Sequence, residues 1–190
     1  MALCVNLLHE EIQNSCTNPI YTGYEPIGYL INKSEIASYT YSNNAISAIT
    51  LTTGAKAYRI YQEGATPFNG TKTEMAAGTL RNRFNKTVSF ILPEDGATVN
   101  NKVVEKLANG EFVVILASKW EEAVSSGDNK FEVIGINKGC KATELSQDKN
   151  ADDIDGAWQV TMQEANVPIA KVFFFTTDVA TSRAALEALC

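Results

Sequence analysis

Residues 111–120 read EFVVILASKW, and this stretch gives the strongest indication of how the chain folds. Every residue from 112 to 117 is apolar, so the run has no polar position on either side. Three of them, Val113, Val114 and Ile115, are β-branched and favour an extended backbone. A strand without a wet face has to be covered on both sides. We therefore predict that these residues form a central strand of a sheet.

The surrounding sequence predicts further strands. Trp158, Val160 and Met162 alternate with polar residues, which predicts a strand with one face in water. Val172–Phe175 is apolar throughout and is expected to be covered on both faces because burial of each large side chain is favourable. Turn-forming residues separate several other runs rich in β-branched and aromatic residues. These predicted strands are Ile27–Ile31, Ile36–Tyr41, Ile46–Leu51, Ala55–Gln62, Lys86–Leu92, Lys130–Asn137 and Cys140–Gln147.

Two stretches follow helical spacing instead. In Thr98–Asn109 the apolar residues recur at helical intervals from Val99, and Gly110 comes just after the last of them. Asp178 is a good N-cap residue for a second amphipathic helix over Val179–Leu189. The predicted fold is therefore mainly β (α+β), with an antiparallel sheet bent into a β-barrel or sandwich and flanked by two helices.

Two segments have no clear period. Residues 1–25 are irregular and are interpreted as an extended N-terminal arm, which leaves residues 26–190 as a single β-rich domain. Glu63–Asn85 contains scattered glycines and only isolated apolar residues. A segment of this length without secondary structure is long for a connection inside a compact domain. We predict that it is a projecting loop or a long hairpin.

The charge and hydropathy patterns argue against several classes of protein. The net charge is −6, and residues 96–190 hold fourteen acidic residues against nine basic ones. Nucleic-acid binding requires a basic surface, so the chain is not expected to bind DNA directly. No apolar run reaches the length of about 18–20 residues that a membrane-spanning helix needs. The apolar stretch Met1–Leu8 lacks a basic flank, so a cleaved signal peptide is not expected either.

Residues that could carry out chemistry are few and poorly spaced. Cys4, Cys16, Cys140 and Cys190 are too far apart in sequence for a zinc or redox motif, so we interpret them as free thiols, with a Cys4–Cys16 disulfide as the alternative. His9 is the only histidine and lies in the arm. Histidine-based catalytic and metal sites are therefore not expected.

Two segments resemble ligand-binding loops without meeting their requirements. Residues 64–73 are similar to a phosphate loop, but five residues separate the glycines and Thr71 stands where lysine is required. Residues 148–159 space their oxygen ligands as a calcium loop does, but Asp153 occupies the glycine position and Gln159 replaces the bidentate glutamate. We therefore predict no catalytic residue, no metal, no cofactor and no enzyme activity.

An alternative function comes from the tyrosines near the N-terminal side of the predicted sheet. Aromatic rings can form a platform for sugars, although in β-rich proteins they more often pack or anchor interfaces. A non-enzymatic binding module, such as a carbohydrate-binding or adhesin domain, is therefore the alternative. A small hydrolase that uses carboxylates alone stays open as a third class, but no paired acidic site supports it. The tyrosines are Tyr21, Tyr24, Tyr29, Tyr39 and Tyr41.

The order of elements in the second half of the chain resembles the tail-tube-like structural proteins of tailed bacteriophages. The resemblance covers about residues 85–178 and rests on layout. The Asn-, Thr- and Lys-rich composition also resembles proteins of crAss-like phages, which use related rings below the portal. The elements that carry it are Thr98–Asn109, Glu111–Trp120, Phe131–Gly139, Ala142–Gln147, the acidic turn ending in Asp155 and Gly156, Ala157–Glu164 and Val172–Thr177.

This resemblance implies a tail-tube-like virion protein that forms a subunit of a tail tube or a head–tail connector ring. Its partners would be copies of itself in a ring and adjacent tail or connector proteins, with DNA only as passing cargo in the lumen. No membrane and no small-molecule substrate would be involved. The protein would be made in the host bacterial cytoplasm and reside in the virion. The hypothetical inter-subunit residues are Tyr21, Tyr24, Pro67, Phe68, Met75, Leu80, Arg81, Arg83 and Phe84.

Overall fold

The computed structural model describes residues 19–120 and 127–190, together with Leu8 and Ile12. Most of the predicted arm, residues 1–25, and part of the connection at 121–129 lie outside the described residues. The described chain is mainly β, with two helices. Its strands are β1 Tyr24–Asn32, β2 Ile36–Ser42, β3 Ala45–Leu51, β4 Tyr58–Tyr61, β5 Lys72–Ala76, β6 Arg83–Leu92, β7 Phe112–Ser118, β8 Phe131–Ile134, β9 Lys141–Gln147, β10 Trp158–Val167 and β11 Val172–Phe174.

The strands form two open sheets. One sheet has seven strands in the order β2-β3-β11-β8-β7-β1-β4, and the other has four in the order β5-β6-β10-β9. Neighbouring strands pair antiparallel except for β11 and β3, which are parallel. The outer strands β2 and β4 do not pair with each other within the described chain, so the seven-stranded sheet does not close. The barrel form of the sequence prediction is therefore wrong, while its mainly β class is confirmed.

Strand β7 lies inside the seven-stranded sheet, as the sequence predicts. It pairs with β1 on one side and with β8 on the other. Val113 and Ile115 point into one hydrophobic cluster, and Val114 and Leu116 into a second cluster on the opposite face. The absence of a polar face in FVVILA, residues 112–117, thus corresponds to a strand that is covered on both sides.

The second of these clusters joins the two sheets. Val114 and Leu116 of the seven-stranded sheet pack with Val88, Val160 and other apolar residues of the four-stranded sheet. The two sheets therefore face each other across one shared apolar core.

Helix α2, Val179–Glu187, contributes to the first cluster, on the other face of the seven-stranded sheet. The side chain of Asp178 accepts a hydrogen bond from the backbone N–H of Thr181, so the predicted N-cap is present. Leu186 is buried in the cluster. The hydroxyl of Tyr29 donates to Glu187 over 2.6 Å and, with the nearby Arg59, lowers the pKa of that carboxyl. These contacts fix α2 against β1 and β4.

Helix α1 consists of Ala97–Val99, a π-helical turn at Asn100–Val104, and Glu105–Asn109. Val104 and Leu107 are its buried residues. A π turn widens the helix by one residue, which matches the five-residue step from Val99 to Val104 in the apolar pattern. The predicted helix therefore exists, but its geometry departs from a regular α-helix.

The segment Glu63–Asn85 forms a hairpin at its C-terminal side. Strand β5 pairs with the start of β6, from Lys72 opposite Thr87 to Ala76 opposite Arg83. The prediction of a long hairpin therefore describes this part well.

Candidate interaction surfaces

The hairpin formed by β5 and β6 presents apolar and basic side chains to solvent at its tip, residues 77–82, and on the strand ends beside the tip. Leu80 is 96% exposed and Met75 is 62% exposed. Arg81 and Arg83 are also exposed, and neither forms an ion pair within the part of the chain that the structure describes. Asn82 braces the turn, because its side-chain oxygen accepts from the backbone N–H of Gly78 over 3.4 Å. The tip and the residues beside it therefore leave two guanidinium groups without an ion-pair partner among the described residues.

An open cavity of about 880 Å³ lies beside this tip. It is lined by Gly78–Arg81 and Arg83 from the hairpin, and by Lys138, Asn166 and Pro168 from the turn after β8 and the end of β10. The ammonium of Lys138 donates to the carbonyl oxygens of Ala165 and Asn166, at 3.3 and 2.9 Å. Three cationic side chains therefore line the cavity, and none of the described residues in its lining is acidic. We call it the basic cavity.

The turn between β9 and β10 has the opposite charge. Asp148, Asp152, Asp153 and Asp155 are all exposed there. Lys149 pairs with Asp95, and this hydrogen bond, with one from the N–H of Gly96, lowers the pKa of the Asp95 carboxyl to about 2. We call residues 148–156 together with Glu94 and Asp95 the acidic loop.

The edges of the seven-stranded sheet carry exposed aromatic rings. Tyr39 and Tyr41 lie on β2, and Tyr58 and Tyr61 lie on β4, at the two opposite edges. Beside β4 an apolar groove of about 640 Å³ runs between the strand and helix α1. Edge strands offer unpaired backbone N–H and C=O groups to any chain that approaches them.

A buried polar cluster lies next to the turn after β8. Lys86 and Glu164 are both fully buried, with the ammonium 3.6 Å from the carboxylate. The Lys86 ammonium has no hydrogen-bond partner among the described residues. Burial, and then the charge of Glu164, raises the pKa of the neighbouring Cys140 thiol well above its usual range. The cluster has no opening to solvent, so it offers structural support rather than a site for substrate.

The hypothetical inter-subunit residues fall into two groups. Tyr21, Met75, Leu80, Arg81 and Arg83 are exposed. The remaining four pack within the chain itself: Pro67 and Phe68 are buried, and Tyr24 and Phe84 are half-buried. The inter-subunit hypothesis therefore depends on the exposed residues.

Phe68 and Tyr24 pack against each other with their rings edge to face, 6.5 Å between centroids. The Tyr24 hydroxyl donates to Glu132 over 3.1 Å. Burial, reinforced by the charge of Glu132, raises the pKa of Tyr24 above its usual range. Both residues therefore belong to the packing around β1 and β8.

The five tyrosines considered for a sugar platform do not share one surface. Tyr29 is 1% exposed and hydrogen-bonded to Glu187, and Tyr24 is bonded to Glu132. Only Tyr21, Tyr39 and Tyr41 of the five are exposed. A broad aromatic platform is therefore not formed, although the pair on β2 is accessible.

Sequence reasoning missed part of both surfaces. Lys138, Asn166 and Pro168 reach the basic cavity only because β8 and β10 place their ends beside the hairpin. No local pattern marks these three residues as members of one site. Tyr58 and Tyr61 belong to a predicted strand, Ala55–Gln62, but the sequence does not indicate that this strand lies at an edge of the sheet.

Within the described ranges, no group of three or more His, Cys, Asp or Glu side chains is arranged to hold a metal ion. The described helices include none that is long and apolar enough to cross a membrane. Comparisons with protein-family models, with curated proteins and with solved structures found no match to this chain.

Proposed function

We propose that the chain is a structural subunit of a bacteriophage virion, in a tail tube or a head–tail connector ring. On this proposal the two facing sheets and flanking helices form a tail-tube-like sandwich, and copies surround a channel through which DNA passes. The observation that carries the proposal is the pair of open, tyrosine-bearing edges on the seven-stranded sheet.

The two edges of the seven-stranded sheet are different strands, so each copy offers β2 at one edge and β4 at the other. Strand β2 of one copy can pair with β4 of the next, which continues the sheet from copy to copy. A contact between two different surfaces repeats around an axis and closes into a ring when the rotation between copies allows it. Exposed tyrosines at the edges are suited to such contacts because aromatic residues are enriched at interfaces.

The net charge supports the same role. At −6, the chain repels rather than binds the phosphate backbone, which suits a wall past which DNA must slide. Partners in this setting are further copies of the chain and the neighbouring tail or connector proteins of the particle.

Assembly of the purified protein tests the proposal. We expect negative-stain electron microscopy and mass photometry to find closed rings or short tubes. A protein that stays monomeric at high concentration, and that does not join particles when expressed with its neighbouring virion genes, would contradict it.

Variants at the edges make the test specific. Tyr39→Lys on β2 and Tyr61→Lys on β4 place a charge on an edge, which opposes strand pairing. We expect each to abolish ring formation while the circular dichroism spectrum stays that of the parent. Thr53→Lys adds the same charge at an exposed turn position between β3 and β4 and serves as the matched control. Rings that persist in both edge variants would exclude pairing through these strands.

A carbohydrate-binding module is the second candidate, because Tyr39 and Tyr41 are both accessible on β2. A glycan array gives the readout. Binding that is lost in Tyr39→Ala and Tyr41→Ala but retained in Tyr21→Ala would favour this function over the structural one. An array without any hit would remove it.

A further inference from the structure

The four-stranded sheet has a basic end and an acidic end. Strands β6 and β10 run antiparallel, with Phe84 opposite Val167 at one end and Leu92 opposite Trp158 at the other. The basic cavity lies where β6 begins and β10 ends. The acidic loop joins the opposite end, where β9 leads into β10.

The charges at each end are largely of one sign. Arg81, Arg83 and Lys138 line the cavity, and its lining has no acidic residue in the part of the chain that the structure describes. The acidic loop contains six carboxylates and one lysine, Lys149, which already pairs with Asp95. The separation of the two ends, roughly 30 Å along the ten residues of β10, prevents them from meeting within one copy.

Both ends also carry apolar surface. Leu80 stands almost fully exposed between the threonine and arginine of the hairpin tip. Ile154 lies half-exposed among the aspartates of the acidic loop. Each end therefore combines charge with an aliphatic side chain, and the two combinations are complementary.

We propose that the basic cavity of one copy receives the acidic loop of a second copy, so that copies stack head to tail along the four-stranded sheet. The inference deepens the proposed function, on which it rests, because it names the contact between successive rings. In this contact Arg81 and Arg83 face Asp152 and Asp153, and Leu80 packs on Ile154.

A second copy suits the cavity better than nucleic acid does. Three cations are few for a DNA-binding surface, and the chain as a whole is acidic. A phosphate backbone would leave Leu80 and Met75 in water, whereas a protein loop with its own apolar residue can cover them. The contact is heterologous, because two different surfaces meet, and such contacts extend without limit when rotation does not close them.

One such contact is weak by itself, since exposed ion pairs are screened by solvent and contribute little each. A ring presents the contact once per subunit, and simultaneous contacts strengthen one another through effective concentration. We therefore expect the affinity of stacking to be higher between rings than between single subunits. The contact between two single subunits is expected to remain measurable at low salt.

Charge reversal tests the contact by sedimentation velocity at about 0.05 M salt, where exposed charges are least screened. The first variant is Arg81→Glu with Arg83→Glu, and the second is Asp152→Lys with Asp153→Lys. Each alone is expected to weaken self-association about tenfold or more, because like charges then face each other. An equimolar mixture of the two is expected to associate again, since acidic hairpins meet basic loops and basic hairpins meet acidic loops.

The matched control is Lys72→Glu with Lys119→Glu, which changes the net charge as much as the first variant does. Both lysines are exposed, and neither belongs to the basic cavity or the acidic loop. Wild-type association in the control, loss in both reversals and recovery in the mixture support the proposal. Unchanged association in either reversal, or no recovery in the mixture, overturns it, as does a wild-type protein that shows no association at low salt.

Electron microscopy of the same samples separates this inference from the proposed function. Single rings that no longer stack in the Arg81→Glu, Arg83→Glu variant support both. Stacks of rings that persist in this variant overturn the head-to-tail contact but leave the proposed ring function standing. Linear assemblies without rings support the contact and contradict the virion ring, provided that they are lost in each charge reversal and recover in the mixture. A duplex DNA titration completes the set: DNA binding that is lost in the hairpin variant, with self-association unchanged, would assign the cavity to nucleic acid.

Discussion

The carboxylate of Glu164 holds the turn that follows β8. Its Oε1 accepts from the backbone N–H groups of Asn137 and Lys138, at 3.0 and 2.8 Å. Its Oε2 accepts from the N–H of Gly135 at 3.1 Å. The Lys86 ammonium lies alongside without a hydrogen bond among the described residues. One buried side chain therefore positions the segment from which Lys138 reaches the basic cavity.

Glu164 is expected to be more important for stability than its partner. Glu164→Gln would set an amide N–H against a backbone N–H and leave the Lys86 ammonium buried without a counter-charge, at a cost of about 3–5 kcal/mol. Lys86→Met removes an ammonium that makes no hydrogen bond among the described residues and leaves the carboxylate with its three backbone N–H donors, so a clearly smaller loss is expected. Urea unfolding followed by circular dichroism measures both. Equal losses, or a larger one for Lys86→Met, would contradict this role of Glu164.

At the scale of elements, the connection after β4 is anchored by Phe68. Its ring lies over Gly28 of β1, where a Cβ atom would be 2.9 Å from the Phe68 ring and 2.7 Å from Leu116. The absence of a side chain at Gly28 thus makes room for the aromatic ring. Phe68 is 2% exposed, and so it ties the segment before β5 to the core between the sheets.

Gly28→Ala is expected to destabilise the fold by about 1–3 kcal/mol, because the added methyl group overpacks this contact. Leucine is smaller than phenylalanine, so Phe68→Leu makes room for the added methyl group. We therefore expect Phe68→Leu to lower the free energy of unfolding less in the Gly28→Ala background than in the parent. A double-mutant cycle of unfolding free energies measures this coupling. Strictly additive losses would mean that the two residues do not share the space that the structure gives them.

Most strands are predictable because burial imposes a pattern on them. Apolar and polar residues alternate in runs such as Ile46–Leu51 and Trp158–Met162, whereas β7 is apolar on both faces. The residue type at each position therefore indicates which face of the strand is covered. The N-cap Asp178 is equally local, since it depends only on the residue type beside a helix start. The sequence prediction of these elements is confirmed for that reason.

Strand β5 and the surfaces had no comparable pattern. Lys72 and Glu74 of β5 are exposed, so its strand character comes from pairing with β6 and not from burial. Phe68 stands isolated between Pro67 and Gly70, and a single aromatic residue has no period that would reveal its burial. The basic cavity depends on the long-range pairing of β6 with β10, which local sequence does not specify.

At the scale of the whole molecule, the shared core makes the two sheets interdependent. Val114 and Leu116 contact the same cluster as Val88 and Val160, so neither sheet can lose its inner face alone. Unfolding is therefore expected to be one cooperative transition.

Two tryptophans report on the two sheets separately. Trp158 begins β10 of the four-stranded sheet, and Trp120 follows β7 of the seven-stranded sheet. In Trp120→Phe and in Trp158→Phe, the fluorescence midpoint in urea should coincide with the circular dichroism midpoint of the same variant. A fluorescence transition that separates from circular dichroism in either variant would show that one sheet unfolds first.

The parallel insertion of β11 has a consequence for how the protein is made. Val172–Phe174 lies between β3 and β8, and it is the only link between them in the described sheet order. The hairpin of β2 and β3 emerges from the ribosome before β11 does, and it gains its inner neighbour only after residue 174 has been synthesised. Until then the hairpin exposes the apolar surface and the unpaired strand edge that β11 will cover. Slow elongation should therefore favour its capture by chaperones or by other nascent chains on the same message.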